Sequence, residues 1–291
     1  MSLPPFNYLA PKTSEELVGM LAEYGDRARV LAGGTDLINW IAEKIVTPEV
    51  VIDLNALEAV QGIHYEPGKG LRIGAAVKIE DMERSGIIKE KYHSLFQATG
   101  QIGSPQVRAM ASIGGNSCNA SPCADTPPPL VTFGTTVNLL GKNGNREMLL
   151  ENFIQGNRQT AIAPDEFLES FMVPEPWPNS ASRYETIALR AAQEIDVASM
   201  AVNVAMDENS GSIADVRIAM GAVAAMPKRA TGAEAILKGQ EPSDALIEKA
   251  SASCRQECQP IDDLRASATY RRHVIGVLAT RLLKDAIAAI G

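Results

Sequence analysis

The sequence predicts an α+β protein built in more than one part, and three observations predict it. Helical and extended patterns alternate over residues 3–54. A proline-rich break, with Pro174, Pro176 and Pro178 in five residues, continues neither a helix nor a central strand. Beyond it, two extended runs precede three helical ones, a hairpin-plus-helices order. At 291 residues the chain also exceeds one typical domain.

The elements follow in order. Thr13 and Glu16 form a capping box that opens a helix with Leu17, Met20, Leu21 and Tyr24 on one face, ended by Gly25. Arg29, Val30 and Leu31 form a short strand. Thr35 or Asp36 caps a second helix running to Glu43. Val50 to Leu54 reads as a buried strand, so residues 3–54 make an αβαβ-like unit. Leu71–Gly74 is a weak strand, with helices near 79–85 and 92–100. Ser104-Pro105 restarts the chain, and residues 112–125 read as a long polar loop. Asp125-Thr126-Pro127 opens another helix, because proline fits the first turn. Strands at 136–140 and 147–150 flank a hairpin turn at Asn143-Gly144. Residues 166–173 form one more strand. After the break, strands at 199–206 and 213–220 precede helices at 231–237, 245–258 and 267–290.

Composition narrows the function classes. Hydrophobic residues make up 45% and charged residues 21%, which suits a packed core. A net charge of −8 argues against nucleic acid as a partner. The same charge means an anion is held by backbone N–H groups rather than a lysine cluster. Four cysteines do not make a disulfide framework. Met1–Phe6 lacks a basic segment followed by an apolar one. No run of ~20 apolar residues spans a membrane. A cytoplasmic protein without a membrane span is the expectation.

Two glycine pairs carry the most specific signal. The first lies in Leu31-Ala32-Gly33-Gly34-Thr35-Asp36-Leu37, between a strand and a helix. Its N–H groups either form an anion nest at a helix N-terminus or merely close a tight turn. The second lies in Ala111-Ser112-Ile113-Gly114-Gly115-Asn116 and leads through Asn119 and Ser121 to Asp125. These short polar groups suit a sugar or phosphate, and an aspartate accepts from ribose hydroxyls. Two such loops suggest a dinucleotide gripped by its two phosphates through N–H groups alone.

Other chemistries fail on pattern. The chain has no Rossmann glycine fingerprint, no phosphate-binding P-loop and no nucleophile elbow. His64, His93 and His273 are scattered. The pairs Cys118/Cys123 and Cys254/Cys258 lack a usual zinc or iron–sulfur spacing, so no metal site is expected. Arg271-Arg272 reads as a solvated or interface patch. No side-chain acid, base or nucleophile stands out, and a bound cofactor is left to do the chemistry.

The two glycine motifs, with Asn119-Ala120-Ser121-Pro122 and Ala124-Asp125, resemble the two FAD-binding motifs of the molybdenum hydroxylase flavoproteins. These are the medium subunits of carbon monoxide dehydrogenase and of xanthine, nicotinate and aldehyde dehydrogenases. Asp262-Asp263-Leu264-Arg265-Ala266-Ser267-Ala268, followed by Tyr270-Arg271-Arg272, is similar to their C-terminal signature. The resemblance implies a two-subdomain FAD-binding region of the vanillyl-alcohol oxidase type, at 1–55 and 56–176, then an α+β C-terminal domain at 177–291. It implies that residues 32–36 hold the FAD pyrophosphate, that Ser112, Gly115, Asn116 and Asp125 contact the FAD, and that Ile102 and Leu168 line it. It further implies partners: a large subunit with a molybdenum cofactor and a small subunit with two [2Fe-2S] clusters. Electrons would pass through FAD to an external acceptor such as NAD⁺, a quinone-like compound or a protein. The alternative is a stand-alone flavin reductase or oxidase of the same fold. One departure stands out. Relatives carry a lysine where this chain has Thr186, in Tyr184-Glu185-Thr186, and Arg190 is the nearby cation available to replace it.

Overall fold

The computed structural model describes residues 3–190 and 192–290. Its first unit runs β1 (Asn7–Leu9), α1 (Ser14–Tyr24), β2 (Ala28–Leu31), α2 (Leu37–Ala42) and β3 (Val50–Asp53). The three strands form a parallel sheet in the order β1-β3-β2. Strand β1 is absent from the pattern reading, because three partly exposed edge residues carry too short a period to detect. Helix α1 starts with the Thr13 half of its capping box, and the returning bond falls one residue early. Thr13 Oγ1 accepts from the Glu16 N–H at 3.2 Å, while the Glu16 carboxylate reaches back to the Lys12 N–H at 2.7 Å. Leu17 and Leu21 bury against Val50 and Ile52. Each such burial contributes roughly 2 kcal/mol, so packing fixes α1 on the sheet more than helix propensity does.

The next stretch holds β4 (Ile63–Glu66), β5 (Gly70–Gly74), α3 (Ile79–Arg84), α4 (Gly86–Lys91), α5 (His93–Gln101), α6 (Pro105–Met110), α7 (Ile113–Cys118) and α8 (Pro127–Phe133). It continues through β6 (Thr136–Gly141), β7 (Gly144–Leu149), α9 (Leu150–Phe153), β8 (Ile154–Gly156), β9 (Gln159–Thr160) and β10 (Glu166–Pro174). A five-stranded antiparallel sheet forms in the order β4-β5-β10-β6-β7. The β6–β7 hairpin closes with Gly141 opposite Gly144, so its two turn residues are Lys142 and Asn143. That is one step earlier than expected, and the positive φ falls on Gly144, at 95°.

The expected irregular loop at 112–125 is corrected. Ser104 Oγ accepts from the Val107 N–H at 3.3 Å and starts α6. Ser112 Oγ accepts from the Gly115 N–H at 3.1 Å and starts α7. Both helices are only six residues long, and the glycine pair masks the helical pattern of the second.

Residues 175–179 join β10 to β11 (Ser180–Ile187). Strands β11, β12 (Ala198–Met206), β13 (Ile213–Gly221) and β14 (Lys228–Arg229) form an antiparallel sheet in sequence order. One face packs α10 (Thr231–Leu237), α11 (Asp244–Glu257) and α12 (Ala268–Ala288) around Met200, Val202, Ile218 and Leu278. The opposite face carries small and polar residues and meets α5. There the Ser94 N–H donates to Ser182 Oγ at 3.0 Å, and the Tyr184 N–H donates to Gln97 Oε1 at 2.8 Å.

Arg271 does not belong to a solvated patch. It is 2% exposed and donates to the Ala222 carbonyl at 3.1 Å and to Asp263 Oδ1 at 2.7 Å. A second contact, to the Val197 carbonyl, ties α12 to the start of β12. The guanidinium is buried because it satisfies loop carbonyls that no strand partner reaches.

Candidate functional site

A cleft of about 560 Å³ opens beside the first glycine loop, α6, α7 and β10. That volume is in the range of small-molecule and cofactor sites. Its walls include Ala32, Gly33, Gly34, Thr35, Asp36 and Leu37 from one side. From the other come Ile102, Ala111, Ser112, Gly114, Gly115, Asn116, Asn119, Ser121 and Asp125, with Leu168 on β10. Leu31 alone among the residues singled out lies outside the wall. It sits one layer below, its side chain under Gly34 and its carbonyl accepting from the Leu54 N–H at 2.8 Å. Arg29, Trp40, Val107 and Pro164 also line the cleft and were missed. Trp40 was within reach, since it follows Asp36 by one helical turn.

The two loops touch. A Cβ on Gly33 would overlap the Met110 carbonyl oxygen and lie 2.8 Å from Ala111 Cα. Only glycine allows this approach, and it brings the start of α7 alongside the end of β2. Gly34 has φ of 73°, which turns the chain from β2 into α2. Asn55 braces the turn by donating to the Ala32 carbonyl at 2.9 Å, and Lys78 Nζ in turn donates to Asn55 Oδ1 at 3.0 Å.

The loops differ in their free donors. The N–H groups of Gly33, Gly34, Thr35 and Asp36 have no backbone or side-chain acceptor among the described residues. Neither Thr35 nor Asp36 caps α2 with its side chain, contrary to expectation. Four consecutive donors at a helix start thus remain open to an anion. In the second loop the donors of residues 113–116 are spent. The N–H groups of Ile113, Gly114 and Asn116 bond to Val77 O, Ala75 O and Ser112 O at 3.1, 2.8 and 2.9 Å. The Gly115 N–H bonds to the Ser112 hydroxyl. Ala75 is itself held by Glu169 O at 2.9 Å, beside an irregularity in β10 between Leu168 and Ser170. The glycine pair of the second loop therefore has no N–H group left to donate, and Gly114 is needed because a Cβ would overlap Ala75.

Charge in the cleft is tuned by burial. Burial raises the Asp36 carboxyl above its usual range, with Arg158 opposing the shift. Arg158 itself stacks on the Trp40 ring at 4.7 Å. Asp125 Oδ1 accepts from the buried Tyr184 hydroxyl at 2.8 Å. Burial pushes Asp125 up, and it pushes the neighbouring Asp196 up further with help from the Asp125 charge. Asp196 Oδ2 has no hydrogen-bond partner. The two carboxyls therefore favour sharing a proton. Arg190 does not fill the place of the missing lysine. It pairs with Glu194 at 2.8 Å, largely exposed, and does not line the cleft. Thr186 bonds weakly to the Ala198 carbonyl at 3.4 Å. All four cysteines are free, and no cluster of three or more metal-ligating side chains occurs among the described residues.

Residues 4–176 match the FAD binding domain in molybdopterin dehydrogenase, and residues 183–286 match the CO dehydrogenase flavoprotein C-terminal domain. The chain belongs to the molybdenum hydroxylase flavoproteins. Within that family it is similar to the glyceraldehyde dehydrogenase medium chain of Sulfolobus acidocaldarius, at 30% identity over 97% of this chain and 98% of the relative. It is also 30% identical to the carbon monoxide dehydrogenase medium chain of Afipia carboxidovorans, over 97% and 96% of the two chains. A solved carbon monoxide dehydrogenase from Hydrogenophaga pseudoflava superposes with a TM-score of 0.94 over 99% of both chains, at 30% identity. This chain is thus a medium, FAD-binding oxidoreductase subunit of the molybdenum hydroxylase type. The cleft suits FAD physically. It offers unpaired N–H donors for a phosphate, a wall free of a side chain at Gly115, and polar groups along the way to Asp125. No helix among the described residues is long and apolar enough to cross a membrane.

Proposed function

We propose that this chain is the electron-transfer subunit of a heterotrimeric-type molybdenum hydroxylase. It takes electrons from [2Fe-2S] clusters of a small subunit, which receives them from a large molybdenum-cofactor subunit, and passes them to an external acceptor. One observation carries the reading: two glycine loops, separated by some eighty residues of sequence, meet at Gly33 and Met110 to frame one cleft with open donors. FAD, when bound, supplies redox chemistry that links clusters to an acceptor.

The chain's own part is to bind and to orient. The N–H groups of Gly33, Gly34, Thr35 and Asp36 donate to the pyrophosphate. Ser112, Gly114, Gly115, Asn116, Asn119 and Ser121 form the opposite wall, Asp125 accepts from the polar chain of the cofactor, and Ile102 and Leu168 give apolar contact. In this reading residues 1–55 and 56–176 are the two FAD-binding subdomains and 177–291 the C-terminal domain. Four free thiols suit the reducing cytoplasm.

The test is direct. Purified chain shows flavin absorbance and releases FAD, not FMN, on denaturation. A colourless protein that cannot be reconstituted with FAD overturns the reading. Isolation from the native source brings down a molybdenum subunit and an iron–sulfur subunit. Recovery of the flavin-loaded chain alone under gentle conditions favours the stand-alone reductase instead.

A further inference from the structure

A second built site lies on the polar face of the β11–β14 sheet, and none of its lining residues lines the FAD cleft. It is a cavity of about 110 Å³ that adjoins another of about 280 Å³ through Phe133, Pro176 and Asn203. The register places Ser182, Asn203 and Arg217 in one row across β11, β12 and β13. Cross-strand neighbours share a face, so their side chains converge at one level of the sheet.

Three residues there keep unused hydrogen-bonding capacity. Arg217 stacks on the Trp177 ring at 5.1 Å and lies over Gly134, yet it makes no ion pair or hydrogen bond among the described residues. Asn203 is 2% exposed and its side-chain amide bonds to no protein group among them. Glu175 Oε1 accepts from the Tyr65 hydroxyl at 2.5 Å and pairs with Lys91 at 3.6 Å, while Glu175 Oε2 is buried without a donor. An unmet buried polar group costs about 1–3 kcal/mol. Here donors and an acceptor line a single small cavity, the arrangement of a site awaiting a ligand with both. A guanidinium fork beside an amide complements a carboxylate. The free Glu175 oxygen calls for a hydrogen-bond donor next to that carboxylate. Lys91, His93, Arg183 and Glu90 line the adjoining cavity, and Lys91 is itself paired with Glu175 at 3.6 Å.

We propose that this cavity binds a small organic carboxylate bearing an adjacent hydroxyl or amino group, with Arg217 and Asn203 taking the carboxylate and Glu175 the donor. Isothermal titration of the full-length chain with glycolate, glycine, acetate and inorganic phosphate tests it. Glycolate or glycine binds saturably, and acetate and phosphate bind at least tenfold more weakly. Arg217→Met and Glu175→Gln each weaken binding at least tenfold while thermal unfolding stays as in wild type. Arg217→Lys keeps the charge without the fork and weakens binding too, which covers the case where Arg217→Met does not fold. Absence of saturable binding by glycolate and glycine overturns the proposal. So does equal binding of acetate and phosphate, or wild-type affinity in the folded variants.

Discussion

Gly115→Val separates the needs of the fold from the needs of the ligand. Gly115 lies in the first turn of α7, and a Cβ there meets only one protein atom, Ser112 Oγ at 3.0 Å. Gly115 also lines the cleft. Glycine in a helix is about 1 kcal/mol less favourable than alanine, and valine recovers roughly half of that. A slight displacement of the Ser112 hydroxyl offsets part of the gain. The flavin-free variant is therefore expected to unfold within about 0.5 kcal/mol of wild type. In the loaded protein the branched side chain occupies the wall against which FAD packs. A tenfold loss of affinity corresponds to about 1.4 kcal/mol, and a clash of this kind is expected to exceed it. The assay pairs two measurements: thermal unfolding of the flavin-free chain, and FAD titration followed by flavin fluorescence. The rise in melting temperature on adding FAD shrinks in step with the affinity. Wild-type affinity in Gly115→Val would show that FAD does not lie against α7. A flavin-free variant destabilised by several kcal/mol would show that the open space at Gly115 had been misjudged.

Three further outcomes follow from the same geometry. Gly33→Ala forces a methyl into the Met110 carbonyl, so the flavin-free chain loses about 1–3 kcal/mol of stability, read by chemical denaturation, in contrast to the near-neutral Gly115 change. Arg271→Met removes a buried cation from Asp263 and two carbonyls and costs about 3–5 kcal/mol, and an unchanged denaturation midpoint would rule out that role. The Asp125–Asp196 pair gives a pH signature. Both carboxyls are raised in the folded state, so the fold keeps a proton that the unfolded chain gives up, and stability falls as pH climbs above the ordinary carboxylate range. Each pH unit in that window costs about 1.4 kcal/mol per retained proton, and Asp196→Asn flattens the slope; parallel slopes for the two proteins would refute the shared proton.

Much of the cleft was legible because its signals are local. A strand, a glycine pair and a short helix follow one another in about fifteen residues, and the polar run to Asp125 is continuous. The elements that escaped notice depend on distant partners. Strand β1 exists because Asn7, Tyr8 and Leu9 pair with Val50, Val51 and Ile52. Helix α7 is fixed by Ala75 and Val77, residues nearly forty positions earlier. Arg271 reads as a surface charge until the Val197 and Ala222 carbonyls and Asp263 gather around it. Asp196 stands in a plain stretch of sequence and gains its character only from burial beside Asp125 and Tyr184.

The two glycine pairs look alike in sequence and do opposite physical work. At Gly33 and Gly34 the backbone keeps its donors free, and the absence of side chains lets Gly33 lie against the Met110 carbonyl and Gly34 take its positive φ. At Gly114 and Gly115 the donors are all used, and the absence of side chains instead lets α7 press against Ala75 on one side and leave the cleft open on the other. A chain carrying a net charge of −8 has little spare cationic surface for a diphosphate. Concentrating free N–H dipoles in one loop and making the other a rigid wall supplies a favourable field without a lysine, since dipoles fixed in place do not have to reorganise around the anion. It follows that substitutions at the first pair should alter affinity mainly through lost or misdirected donors, and those at the second through shape. Gly34→Ala, strained at φ of 73°, is expected to weaken FAD and its pyrophosphate-bearing fragment ADP alike. If Gly34→Ala left ADP affinity untouched while reducing that for FAD, the donors of the first loop would not be holding the pyrophosphate.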